Sequence, residues 1–189
     1  MKYTIIPKKI LMKIDIFFNL SLGIWKSMRS GHSLAFQQFE EIINTITISK
    51  VRKDDHRISE LIKNNKYKDY ECLSPISISW EAKSNWSNGD LKKTDEGLNI
   101  IIPLKLNEKE GILINSLGYT EREEINSKYL ITDDGTIVLS TKYSKLETEE
   151  RIWFLSKYIR CRSSVTKAKN SNGILQTSYA TEIKQISSS

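Results

Sequence analysis

Residues 147–164 read ETEERIWFLSKYIRCRSS. Two short runs rich in β-branched and aromatic residues meet here, predicting one strand over 149–157 and another over 159–168. Strand alternation puts Glu150 and Ile152 on one face and Glu149, Arg151 and Trp153 on the other. In the second run it aligns Arg160, Arg162 and Ser164. Antiparallel pairing of the two runs brings Glu150 into the neighbourhood of both arginines. The same pattern also describes a surface ion-pair ladder, which contributes little energy.

The flanking sequence repeats this grammar. Short apolar runs occupy 76–86, 97–104, 111–119, 127–132, 136–144 and 174–186, and strand-like segments run from Ile24 to Phe36 and from Ile42 to Ile48. Asn88-Gly89, Asp134-Gly135 and Asn172-Gly173 are hairpin turns, because Asn/Asp-Gly tolerates the positive φ of type I′ geometry. Two helices are expected. One covers 11–22, with Leu11, Ile14, Phe17 and Phe18 at helical spacing. The other covers 55–65, capped by Asp54 or Asp55, with Ile58, Leu61 and Ile62 on its apolar face. About ten strands with short connections define a mainly β chain, an antiparallel barrel or sandwich. Periodicity does not choose between the two, but a barrel of this size encloses one ligand.

The 189 residues suit a single domain over 1–189, with residues 1–10 as an N-terminal extension in which Pro7 discourages helix. Hydrophobic residues make up 39% and charged residues 28%, the balance of a folded protein. The net charge of +6 belongs to residues 1–70, where 13 Lys/Arg face 7 Asp/Glu; the remainder holds 16 of each. An anionic ligand or an acidic partner face suits that excess. Nucleic acid would suit it too, but no helix-turn-helix, zinc-finger or RNP-like signature is present. Two histidines and two cysteines argue against a metal site and against a disulfide framework. Lys2, Lys8 and Lys9 precede a short apolar run, but Lys13, Asp15 and Asn19 interrupt it and no small-residue cleavage site follows. The expectation is a cytoplasmic protein without a membrane span, with Cys72 and Cys161 as small buried hydrophobes.

Two further clusters carry chemistry. In 17–33, FFNLSLGIWKSMRSGHS, alternation places Trp25, Ser27 and Arg29 together, so that a ring and a guanidinium face one flat anionic ligand. Read conventionally, Trp25 is core and Arg29 is surface. In 76–86, ISISWEAKSNW, Trp80 and Trp86 are an even number of residues apart and share a face, either as stacking platforms or as barrel core.

The order of these segments resembles the S-type phycobiliprotein lyases. Phe17, Phe18, Ser21, Gly23, Trp25, Ser27, Arg29 and His32 form the first motif and Ser79-Trp80 the second. Glu149, Glu150, Arg151, Trp153 and Phe154 lead to Arg160, Arg162 and Ser164, and Ser178, Glu182 and Ile183 close the series. The resemblance implies a ten-stranded antiparallel lipocalin-like or fatty-acid-binding-protein-like barrel with one or two short helices. It implies a lyase that binds a bilin (phycoerythrobilin or phycocyanobilin) without a covalent bond and transfers it to a cysteine of an apo-phycobiliprotein subunit, the β subunit being expected, as a thioether. The bilin is then substrate, and no tightly bound cofactor is expected. Glu150 and Arg160 are the implied catalytic pair, with Arg29, Trp80, Trp86, Trp153, Arg160, Arg162 and Ser164 holding the bilin. Work as a homodimer stays open. So do a carrier that stores a bilin or other hydrophobic ligand without transferring it, and a nucleic-acid binder using the basic first third.

Overall fold

The computed structural model describes residues 12–62, 70–84, 92–116, 126–169 and 173–186. Helix α1 (Ile14–Ser21) precedes strands β1 (Gly23–Ser33) and β2 (Gln38–Lys50). Helix α2 (His56–Ile62) and a two-residue strand β3 (Glu71–Cys72) follow. Then come β4 (Ile76–Ser84), β5 (Lys92–Lys105), β6 (Glu110–Asn115), β7 (Asn126–Ile131), β8 (Ile137–Lys142), β9 (Leu146–Ser156), β10 (Ile159–Ala168) and β11 (Ile174–Lys184). The sheet runs β3-β5-β4-β2-β1-β11-β10-β9-β8-β7-β6, all antiparallel, and β5 also pairs with β6. That last pairing closes ten strands into a barrel and leaves β3 as a short addition beside the end of β5. Closure decides for barrel over sandwich and satisfies the ladder hydrogen bonds that free edges would leave open.

Two apolar cores explain the sequence pattern. Inside, Trp25, Ile46, Ile48, Ile76, Ile101, Leu113, Tyr129, Ile131, Ile137 and Ile152 pack with Ile14, Phe17 and Phe18 of α1, which plugs one end of the barrel. Phe17 meets Phe154 edge-on at 5.5 Å. Gly23 adopts φ +117°, which lets the chain leave the helix and enter β1 at once. Outside, Ile58 of α2 packs against Ile100, Ile102 and Leu104 of β5 and Ile112 and Ile114 of β6. Strands covered on both faces read as continuous apolar runs, which is why 100–104 and 112–114 lack the alternation seen elsewhere. Asp55 caps α2, its Oδ1 accepting the Arg57 backbone N–H at 3.0 Å.

The Asp134-Gly135 turn is present, with Gly135 at φ +84° and Thr132 N–H donating to Thr136 O at 2.9 Å. Asn88-Gly89, Trp86, Asn172, residues 1–10 and residues 63–65 of the expected second helix lie outside the described residues. β5 starts at Lys92, five residues before the expected Gly97: pairing with β4 carries the polar stretch KKTDE into the ladder although it has no apolar signal. Strand β3 has too few residues for any periodicity to announce it. Cys72 within it is exposed, not buried as expected, whereas Cys161 is buried.

Gly97 sits opposite Trp80 across the β4–β5 ladder. A Cβ at Gly97 would collide with Cζ2 of the Trp80 ring. Gly97→Ala is therefore expected to displace the Trp80 ring and to destabilise the fold by about 1–3 kcal/mol. Urea denaturation and tryptophan fluorescence would read the two effects; unchanged values in both would mean that the ring does not need the gap.

Candidate functional site

The pairing register arranges the inward residues of β2, β1, β11, β10 and β9 in rows. Next to the helical plug lie Asn44, Ser27, Glu182, Arg160 and Phe154. The next row holds Ile42, Arg29, Ala180, Arg162 and Ile152. The third holds Glu40, Gly31, Ser178, Ser164 and Glu150. Ala180, with one methyl group, stands between Arg29 and Arg162 and leaves room for two guanidinium groups in one row.

Arg160 and Glu182 are 2% and 1% exposed and form an ion pair through Arg160 Nε and Glu182 Oε2. Arg160 Nη1 donates to Ser21 Oγ at 3.0 Å, and its guanidinium lies 4.7 Å over the Trp25 ring. Trp25 Nε1 donates to Ser21 O at 2.7 Å, and Lys184 Nζ donates to Leu20 O at 2.7 Å. Donors from the barrel thus satisfy the last carbonyls of α1 and place positive charge at its C-terminus. Arg162 Nη1 pairs with Glu150 Oε1 at 3.1 Å, and Arg162 Nε stands 3.8 Å from Glu182 Oε1. Two acids and two guanidinium groups therefore interlock across three strands. Towards the far end hydroxyl pairs take over: Ser164 with Ser178 at 2.7 Å and Thr148 with Thr166 at 3.0 Å.

Burial pushes the Glu182 carboxyl up, but Arg162, Arg160 and the donating Ser27 hydroxyl outweigh it and hold the group below the ordinary glutamate range. A carboxyl lowered by folding adds stability that is complete above its unfolded value and is lost as pH falls through the folded one. The wild type should therefore melt higher than Glu182→Gln at pH 7, with the gap narrowing once the pH drops below about 4. Parallel melting curves at every pH would show that Glu182 is not the titrating group.

Three guanidine N–H groups in this cluster are buried without a hydrogen-bond partner: Arg29 Nε, Arg160 Nη2 and Arg162 Nε. Asn44 Oδ1 is likewise buried and unpartnered. Orphaned buried donors are costly in a finished protein interior. Donors gathered in neighbouring rows suit an anionic ligand that completes them.

Of the residues singled out in the sequence, Arg29, Glu150, Arg160, Arg162 and Ser164 share this interior, and Trp80 lines the same side of the sheet opposite Ile46. Trp25 is core, fully buried. Trp153 is not in the interior. It lies on the outer wall opposite the buried Cys161, with its ring 6.2 Å from Tyr179, because its parity is opposite to that of Glu150 and Ile152. Stacking on a ligand inside the barrel is excluded for it in this arrangement. Glu182 and Asn44 were not among the expected site residues. Glu182 belongs to the last sequence motif, but only the β10–β11 register sets it against Arg160.

A closed barrel plugged at one end by a helix, with paired acids and guanidinium groups inside, defines a lipocalin-like barrel. The CpeS-like protein family matches residues 13–185, and the chain belongs to that family. It is 37% identical over 175 residues to chromophore lyase CpcS/CpeS 3 of Trichodesmium erythraeum, covering 92% of this chain and 99% of that one. It is 30% identical over 175 residues to chromophore lyase CpcS/CpeS of Thermosynechococcus vestitus, covering 92% and 93%. Among solved structures, the S-type phycobiliprotein lyase CPES of Guillardia theta superposes with a TM-score of 0.80 at 32% identity, covering 96% of this chain and 99% of that one. No helix among the described residues is long and apolar enough to cross a membrane.

Proposed function

We propose that this chain is a bilin lyase: it holds an open-chain tetrapyrrole inside the barrel without a covalent bond and delivers it to a cysteine of a phycobiliprotein subunit. The observation that carries this reading is the set of three unpartnered guanidine N–H groups on Arg29, Arg160 and Arg162 beside the Glu150 carboxylate. A bilin brings two propionates for the guanidinium groups and pyrrole N–H groups for the carboxylate, and charge-assisted bonds of both kinds are strong in a shielded site. Trp80 offers a face for the conjugated system.

In the transfer step the acceptor sulfur bonds to the exocyclic carbon of the ring A ethylidene group. The exocyclic double bond is consumed, the thiol proton ends on the adjacent ring carbon, and no group leaves. The carboxylate of Glu150 favours the protonated bilin, whose ring A is the better electrophile. The acceptor thiol ionises near ~8.5, so thiolate is the minor species at neutral pH and positioning is the larger task. The bilin is substrate, phycoerythrobilin and phycocyanobilin are the two candidates, and the β subunit is the expected acceptor. Cys72 and Cys161, both free, suit a reducing cytoplasm.

The test mixes the protein with each bilin and an apo β subunit and follows zinc-induced fluorescence on a denaturing gel. Covalent pigment on the acceptor above the lyase-free control supports the reading. Bilin binding with labelling no faster than the control would make the chain a carrier.

A further inference from the structure

Helix α1 packs into the core at one end of the barrel, and the β1–β2 and β8–β9 connections stand at the other with the described ends of β10 and β11. Backbone hydrogen bonds join the described residues of these segments. Leu34 N–H donates to Leu175 O at 2.8 Å, joining the first connection to β11, and Lys169 N–H donates to Lys145 O at 2.8 Å, joining the end of β10 to the second. The chemistry of this end is divided. The β1–β2 side exposes Leu34, Phe36 and Phe39, with Phe36 75% exposed, and Ile174 continues the apolar area. The other side exposes Lys145, Lys167 and Lys169. Solvated apolar side chains grouped at one end of the barrel, with cations beside them, are the composition of a protein-docking patch.

We propose that this rim is the docking surface for the acceptor subunit, the apolar tip of β1–β2 seating on an apolar patch of the partner and the three lysines facing acidic groups beside its cysteine. The proposal rests on the lyase reading: if the thiol must reach a pigment inside the barrel, its protein must settle on the end that α1 does not plug. The separation of the apolar Leu34, Phe36, Phe39 and Ile174 from Lys145, Lys167 and Lys169 suits a partner that is itself divided into apolar and acidic areas, as a protein surface is and a uniformly anionic lipid layer is not.

The test uses the full chain with phycoerythrobilin and the apo β subunit of phycoerythrin, and with phycocyanobilin and the apo β subunit of phycocyanin. Phe36→Glu and the triple variant Lys145→Glu/Lys167→Glu/Lys169→Glu alter exposed side chains outside the bilin cluster. Both variants should bind the bilin that wild type transfers within about twofold of wild type, while labelling of sub-saturating acceptor and direct lyase–acceptor affinity each fall at least about tenfold. Wild-type labelling should slow as salt rises, and the triple variant should lose that dependence.

Wild-type labelling rates in both variants would overturn the proposal. So would a loss of bilin affinity equal to the loss of labelling, since the rim would then hold pigment. Phe36-dependent sedimentation with phosphatidylglycerol vesicles, or a Phe36-dependent dimer in light scattering, each with labelling intact, would assign the surface to lipid or to a second copy. Wild-type protein that binds both bilins but labels neither acceptor would defeat the lyase reading itself, a result visible before any variant is made.

Discussion

Arg160→Ala is expected to lower folding stability by about 3–5 kcal/mol and to abolish bilin binding. The size follows from what the truncation leaves behind. Glu182, 1% exposed, would keep its charge with Arg162 Nε 3.8 Å away as its remaining guanidinium neighbour. Ser21 Oγ would lose its donor and the Trp25 ring its covering cation, loosening the contact between α1 and the barrel. Removing one member of a buried pair is costly because the other is stranded, not because the pair itself is worth that much. Replacing both members with apolar residues of similar volume, Arg160→Met with Glu182→Leu, should recover most of the stability and none of the ligand affinity. Urea denaturation and a bilin titration separate the two effects. If Arg160→Ala unfolds within about 1 kcal/mol of wild type, Arg160 is not the counter-charge of a buried acid.

Glu150→Gln should leave the fold intact and slow transfer by about a hundredfold. Glu150 is partly exposed, and glutamine keeps its size and an oxygen to accept from Arg162 Nη1, so little stability is at stake. The lost charge is what matters. Without it the pyrrole nitrogens lack a counter-ion, the protonated bilin is disfavoured, and its red-shifted absorbance should weaken along with the transfer rate. The melting curve serves as the control. An unchanged bilin spectrum together with unchanged transfer would remove Glu150 from the chemistry.

The two variants also show which parts of the site were legible in the amino-acid order. The quartet on β9 and β10 could be read because alternation is a local property: Glu150 parts from Trp153 by parity, and Arg160, Arg162 and Ser164 repeat every second residue. Trp153 was nevertheless grouped with the ligand-facing residues on aromatic character, and the closed sheet puts it on the outside against Tyr179. The other partner of Arg160 was harder to see. Glu182 lies 22 positions along the chain and meets it only because β10 and β11 pair in that register.

Local pattern by itself determined that this chain is mostly short antiparallel strands, where its Asp134-Gly135 turn falls, that a helix precedes β1, and which side chains of β9 and β10 share a face. These follow from φ/ψ preference and from the two-residue period of a strand, which act within a few residues. The tertiary structure alone decided that β5 closes on β6, which parity faces inward, that α2 covers a second core outside the wall, and that Arg160 has Glu182 as its counter-charge. Each of these is a choice of partner between distant segments, made by the burial of apolar area and the pairing of buried charge across the whole sheet, and no short stretch of sequence contains that sum.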